Sequence, residues 1–130
     1  MYKSVYNYLE NQVLNASPIE HIIMLYNKAI ACLNTSWMAI ENGLDNPENL
    51  KKKVENITRA TEILAYLQGI LNLEKGGEIA KNLNEIYKIL INELIKANIE
   101  NDPEIIAKSI EILKSLKKAW EDIKKENGKR

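Results

Sequence analysis

From Ile19 onward the apolar residues step by four and three. Ile19, Ile23, Tyr26, Ile30, Leu33, Trp37, Ile40 and Leu44 form one continuous seam, the spacing that places side chains on one face of a helix. Beside it runs a second series, Ile22, Leu25, Ala29, Cys32, Ser36, Ala39 and Gly43, whose members shrink along the helix and predict a trough. The next segment carries Leu50, Val54, Ile57, Ala60, Leu64, Leu67 and Leu71, with Ile63, Tyr66, Ile70 and Leu73 adjacent. A third has Ile79, Leu83, Ile86, Leu90, Leu94 and Ala97 flanked by Tyr87, Ile91 and Ile95, and a fourth has Ile106, Ile110, Leu113, Leu116, Trp120 and Ile123 beside Ile105, Ile112 and Ala119. No alternating strand pattern competes with these helical periods.

The boundaries are written in capping residues. Ser17-Pro18-Ile19-Glu20 pairs an N-cap oxygen with a proline at the first helical position, where its missing N–H costs nothing, and Asn46-Pro47-Glu48 and Asp102-Pro103-Glu104 repeat the pattern. Each adds an acid where the helix dipole favours negative charge. Asn42-Gly43 and Gly76-Gly77-Glu78 mark turns. The reading is a single helical domain over 1–130, with an N-terminal segment at 1–16 and helices at about 17–42, 47–73, 77–100 and 103–126. Short connections make successive helices antiparallel, so the predicted fold is all-α, an up-down-up-down four-helix bundle with the N-terminal segment packed on or near it. The stripes are wider than the ~100° that one core needs, so the excess is expected to meet the N-terminal segment, another subunit or a ligand helix.

Composition narrows the functions. Eighteen basic residues balance eighteen acidic ones, which leaves no global field to gather nucleic acid or an anionic membrane. No stretch approaches the ~18 apolar residues of a membrane span, and the first ten residues lack a signal-peptide core, so the expectation is a soluble cytoplasmic protein. The Asn-x-Ser/Thr triplets at Asn15, Asn34 and Asn56 are then coincidental. One cysteine, Cys32, and one histidine, His21, cannot build a disulfide, a structural zinc site or a di-metal centre of Glu-x-x-His pairs. No metal and no cofactor are expected. Cys32, on the small-residue stripe, reads as a small hydrophobe. Gly76-Gly77 lacks the spacing and the lysine of a phosphate-binding loop. His21 leaves one alternative, a histidine phosphotransfer bundle, but the residues after it are Ile22-Ile23-Met24-Leu25 rather than the basic residue and glycine of such domains. A self-associating bundle is the other alternative.

Several strings in order resemble the flagellar secretion chaperone FliS family. They are the tyrosines Tyr2 and Tyr6, Ala16-Ser17-Pro18, Met24-Leu25-Tyr26-Asn27-Lys28-Ala29-Ile30, Glu74-Lys75-Gly76-Gly77-Glu78-Ile79-Ala80-Lys81-Asn82-Leu83, Tyr87, Leu94 with Ala97-Asn98, and Leu113, Leu116 and Trp120. The chain departs from that pattern at Asn27-Lys28, where Asp-Gly is common, and at His21, Asn15 and Asn72, where leucine, threonine and aspartate are frequent. The resemblance implies a non-enzymatic cytoplasmic chaperone that binds the C-terminal segment of flagellin, prevents premature polymerisation and keeps it competent for type III export without ATP. It implies export-gate or regulatory proteins as further partners. It assigns a flagellin groove to Tyr6, Ile22, Ala29, Leu64, Leu67, Leu71, Leu83 and Tyr87, and suggests that the N-terminal segment covers part of that groove when flagellin is absent.

Overall fold

The computed structural model describes residues 19–128, and these form four helices: α1 (Ile19–Asn42), α2 (Pro47–Gly69), α3 (Gly77–Glu100) and α4 (Pro103–Gly128). The Ser17-Pro18 start and the segment at 1–16 lie outside the described residues. Two of the expected caps are in place. Asn46 Oδ1 accepts from Glu48 N at 2.8 Å ahead of Pro47. Asp102 Oδ1 accepts from Glu104 N at 3.0 Å and Ile105 N at 3.4 Å. Each satisfies first-turn N–H groups that have no partner within the helix.

Three described positions take a positive φ, one of them Gly77, at φ 59, where α3 opens. Gly43, at φ 106, closes α1, and its N–H donates to Ile40 O at 3.1 Å. Asn101, at φ 54, closes α3, a conformation asparagine tolerates better than most residues. The second helix ends at Gly69 rather than continuing to residue 73. There Ile70 N donates to Tyr66 O and Leu71 N to Gln68 O, and Asn72 then organises the reversal, its Oδ1 accepting from Lys75 N and its carbonyl from Gly76 N. The apolar period runs on through Leu71 because that side chain still reaches the core after the helix has stopped.

Neighbouring helices run antiparallel. Ser36 and Lys53 meet near one end of the α1–α2 pair and His21 and Tyr66 near the other. Lys53–Asn98 and Gln68–Asn84 do the same for α2–α3, while α4 returns to α1 through Asn27–Lys117 and Tyr26–Trp120. The helices form a ring in which the α3–α4 seam is the least closely packed. This is the antiparallel four-helix bundle that the periodicity predicts.

The core holds Ile22, Tyr26, Leu33, Ile57, Leu64, Leu67, Tyr87, Leu90, Leu94, Ile106 and Leu113 as its largest fully buried side chains. On α1 the small-residue series is buried more completely than the expected seam: Ile22, Ala29, Cys32, Ser36 and Ala39 are buried, whereas Ile23 and Ile40 are half-buried and Trp37 is exposed. The predicted trough is filled from within the fold. Small side chains let the α2 backbone approach, and Ser36 Oγ donates to Lys53 O at 3.2 Å across the contact.

Candidate binding surface

Of the eight residues assigned to a groove, Ile22, Ala29, Leu64, Leu67, Leu71, Leu83 and Tyr87 are all buried in the bundle, and Tyr6 lies outside the described residues. Tyr87 belongs to a polar knot. Its hydroxyl is hydrogen-bonded to that of Tyr26, and Trp120 Nε1 donates to Tyr26 Oη at 3.2 Å, so α1, α3 and α4 meet at one oxygen. Burial pushes the Tyr26 phenol above its ordinary range, although its bonds to Tyr87 and Trp120 pull the other way. Burial pushes Tyr87 well above that range, and Tyr26 adds to the shift. Both phenols stay protonated at neutral pH and serve as structural hydrogen-bonding groups.

Cys32 is equally inert. Burial raises its thiol pKa against the opposing charges of Arg59 and Lys28, so the nucleophilic thiolate is disfavoured. Among the described residues no group of three or more His, Cys, Asp and Glu side chains is placed to hold a metal ion, and no helix is long and apolar enough to cross a membrane.

What the bundle offers is apolar relief on its outside. One depression, about 400 Å³, lies between the first turns of α1 and the last turns of α2 and is lined by His21, Leu25, Arg59, Glu62, Ile63 and Tyr66. Tyr66 is 48% exposed, and the His21 ring stands edge-on to it with centroids 5.9 Å apart and planes at 90°. Ile63 and Leu25 form an apolar floor continuous with the core, and Arg59 and Glu62 put one charge of each sign in the lining. A second trough, about 200 Å³, follows the loose α3–α4 seam past Ile89, Leu90, Glu93, Ile105, Lys108, Ser109 and Ile112, where Ile89 is 56% and Ile112 42% exposed. A third, about 220 Å³, sits between α1 and α4 beside Trp37, Ala107 and Ile110, with Asn34, Glu111 and Lys114 around it.

Large apolar side chains are exposed well beyond these troughs, among them Met24, Met38, Leu50, Val54, Leu73, Ile79, Ile95 and Ile99. Depressions with apolar floors and sparse charge suit the ridge of an amphipathic helix. The groove assignment took residues that the bundle consumes, Ile22, Ala29 and Tyr87 of the secondary series among them, and left out others that line the troughs or stay exposed. Leu25, Ile63, Tyr66, Ile95 and Ile112 had a visible signal: each belongs to the secondary series beside a helix's main stripe. Ile89, Met38 and Ile99 stood in no series, so period alone did not mark them.

A helical bundle with inert titratable groups in its core and apolar troughs outside has the surface of a protein-binding module. The chain belongs to the FliS family, whose profile, described as Flagellar protein FliS, it matches over residues 1–127. It is 35% identical over 115 residues to the flagellar secretion chaperone FliS of Vibrio cholerae, covering 88% of this chain and 81% of that protein. The FliS of Salmonella typhimurium is 34% identical over 116 residues, covering 88% and 82%, and that of Campylobacter jejuni is 34% identical over 116 residues, covering 89% and 87%.

Proposed function

We propose that this chain is a cytoplasmic flagellar secretion chaperone that binds the C-terminal segment of flagellin, blocks its premature polymerisation and presents it for type III export, with no catalytic step. The observation that carries the reading is the family match over nearly the whole chain, and the apolar troughs agree with it. The client's short amphipathic helices lie in these troughs. Leu25, Ile63 and Tyr66 contact them directly, while Ile22, Leu64, Leu67, Leu71, Leu83 and Tyr87 support the floor from beneath and Ala29 keeps α1 close to α2. Tyr6 and the rest of the N-terminal segment compete with the client for the groove. Ordering the client costs about 2–5 kcal/mol of the contact energy, which keeps release possible without nucleotide hydrolysis. Export-gate or regulatory proteins engage the surface that the client leaves free.

The test is calorimetric titration of the full chain with a peptide spanning the C-terminal segment of its cognate flagellin. The expected result is saturable one-to-one binding with a negative heat-capacity change. Removal of the residues before Asn15 should raise the apparent affinity. Absence of both heat and a complex on a sizing column would refute the reading.

A further inference from the structure

Lys53 is 4% exposed, the one buried charged side chain among the described residues, and no described carboxylate pairs with it. Its Nζ donates to the main-chain oxygen of Asn98 at 2.9 Å, from α2 to the last turn of α3. That oxygen is a special one. At a helix end the last carbonyls have no partner along the helix, and together they carry a partial negative charge. Here both backbone donors of the turn converge on the preceding carbonyl: the N–H groups of Asn101 and Asp102 each bond Ala97 O. The oxygen of Asn98 is thereby left for a donor from elsewhere, and α3 has no basic residue of its own in its last turn. The side-chain Oδ1 of Asn98 is also buried without a hydrogen-bond partner, which adds to the negative potential at this end.

We propose that Lys53 is a latch in trans: its ammonium supplies, from α2, the C-terminal cap that α3 lacks, and so fixes the α3–α4 turn and the mouth of the α3–α4 trough. The connection is short. Asp102, whose N–H is tied to Ala97, is itself the N-cap of α4, and its Oδ1 bonds the N–H of Ile105, a residue lining that trough. The position of α3's last turn is therefore passed directly to the start of α4. The main-chain oxygen of Lys53 accepts from Ser36 Oγ, so the latch residue is also anchored on α1. This assignment is independent of what the protein binds.

An ordinary core residue and a latch differ in what their removal does. Losing core packing lowers protection everywhere the global unfolding reaction sets it, whereas losing a latch opens one end and leaves the middle intact. The test is hydrogen–deuterium exchange of the full-length protein, comparing peptides over 97–105 with peptides over 57–67. Lys53→Met, which keeps the stem and removes the charge, should lower protection in the first region by about tenfold, with the second at or above the wild-type value. Lys53→Arg, which keeps the charge, should stay within about threefold of wild type at both. A Lys53→Met protein protected like wild type at 97–105, or loosened equally in both regions, overturns the proposal. If Lys53→Met does not fold, Lys53→Gln against Lys53→Arg decides: loosening at 97–105 in the glutamine variant alone supports the latch, and equal behaviour of the two refutes it.

Discussion

At the scale of single residues, most of the unusual chemistry lies inside. Tyr26 is the hinge of the polar knot, because its hydroxyl meets both Tyr87 and Trp120. Tyr26→Phe would leave buried donors without their partner, and urea denaturation should show a loss of about 1–3 kcal/mol, larger than a surface hydroxyl would give. Both knot phenols have folded-state pKa values above the ordinary 10.0. Their contribution to stability is complete below the unfolded pKa and is lost as pH rises above it, because the unfolded chain then releases protons that the folded one retains. Of the six tyrosines, Tyr26 and Tyr87 should therefore develop tyrosinate absorbance only as the protein unfolds in alkali. Lys53 has the opposite sign: burial lowers its pKa, so its ammonium opposes folding at neutral pH, and that cost is recovered as pH rises toward 10.5. The apolar stripes placed Tyr26, Tyr87 and Trp120 on helix faces turned to the core, but neither their hydrogen-bonded knot nor the burial of Lys53 was legible in the chain. Tyr26 and Tyr87 are 61 residues apart, and a lysine in a helix reads as solvated until the packing shows otherwise.

Among elements, the boundaries were the most legible part, since Asn46-Pro47 and Asp102-Pro103 act through neighbours in sequence. Asp102→Ala removes the acceptor for two N–H groups and should lower the unfolding free energy by about 1 kcal/mol, measured by thermal melting. The end of α2 was less legible, because Leu71 continues an apolar period that the backbone has abandoned. The small-residue stripe on α1 was read as space for a ligand, whereas its physical role is close approach of α2. Sequence shows that side chains are small but not which helix uses the room. Ala29→Leu would overpack a fully buried position and should destabilise the bundle by about 1–3 kcal/mol, with client binding weakened only as far as the fold is. The flanking positions that shape the troughs were partly legible, and which of them the bundle would cover depended on a ring order that no local pattern specifies.

For the whole molecule, apolar packing rather than charge sets stability and recognition alike. The ion pairs Lys51–Glu55, Lys81–Glu78 and Lys118–Asp122 are exposed, at 4.0, 4.0 and 3.2 Å, so added salt should shift the unfolding free energy by less than about 1 kcal/mol. Tyr66→Glu changes an exposed side chain in the α1–α2 trough and should leave the fold within about 0.5 kcal/mol of wild type. The flagellin peptide should nonetheless bind at least about tenfold more weakly, the loss expected on removing an aromatic anchor. The ring of helices also gives the protein a timepiece. α1, α2 and α3 can assemble from contacts between chain neighbours, but the α1–α4 contact joins the two ends of the bundle and carries the largest loop-closure entropy. Trp120 sits at that joint, and the other tryptophan, Trp37, lies near the far end of α1. With Trp37→Phe, the indole emission of a refolding chain would come from Trp120 alone, and its change in a stopped-flow trace would time the moment the circle closes.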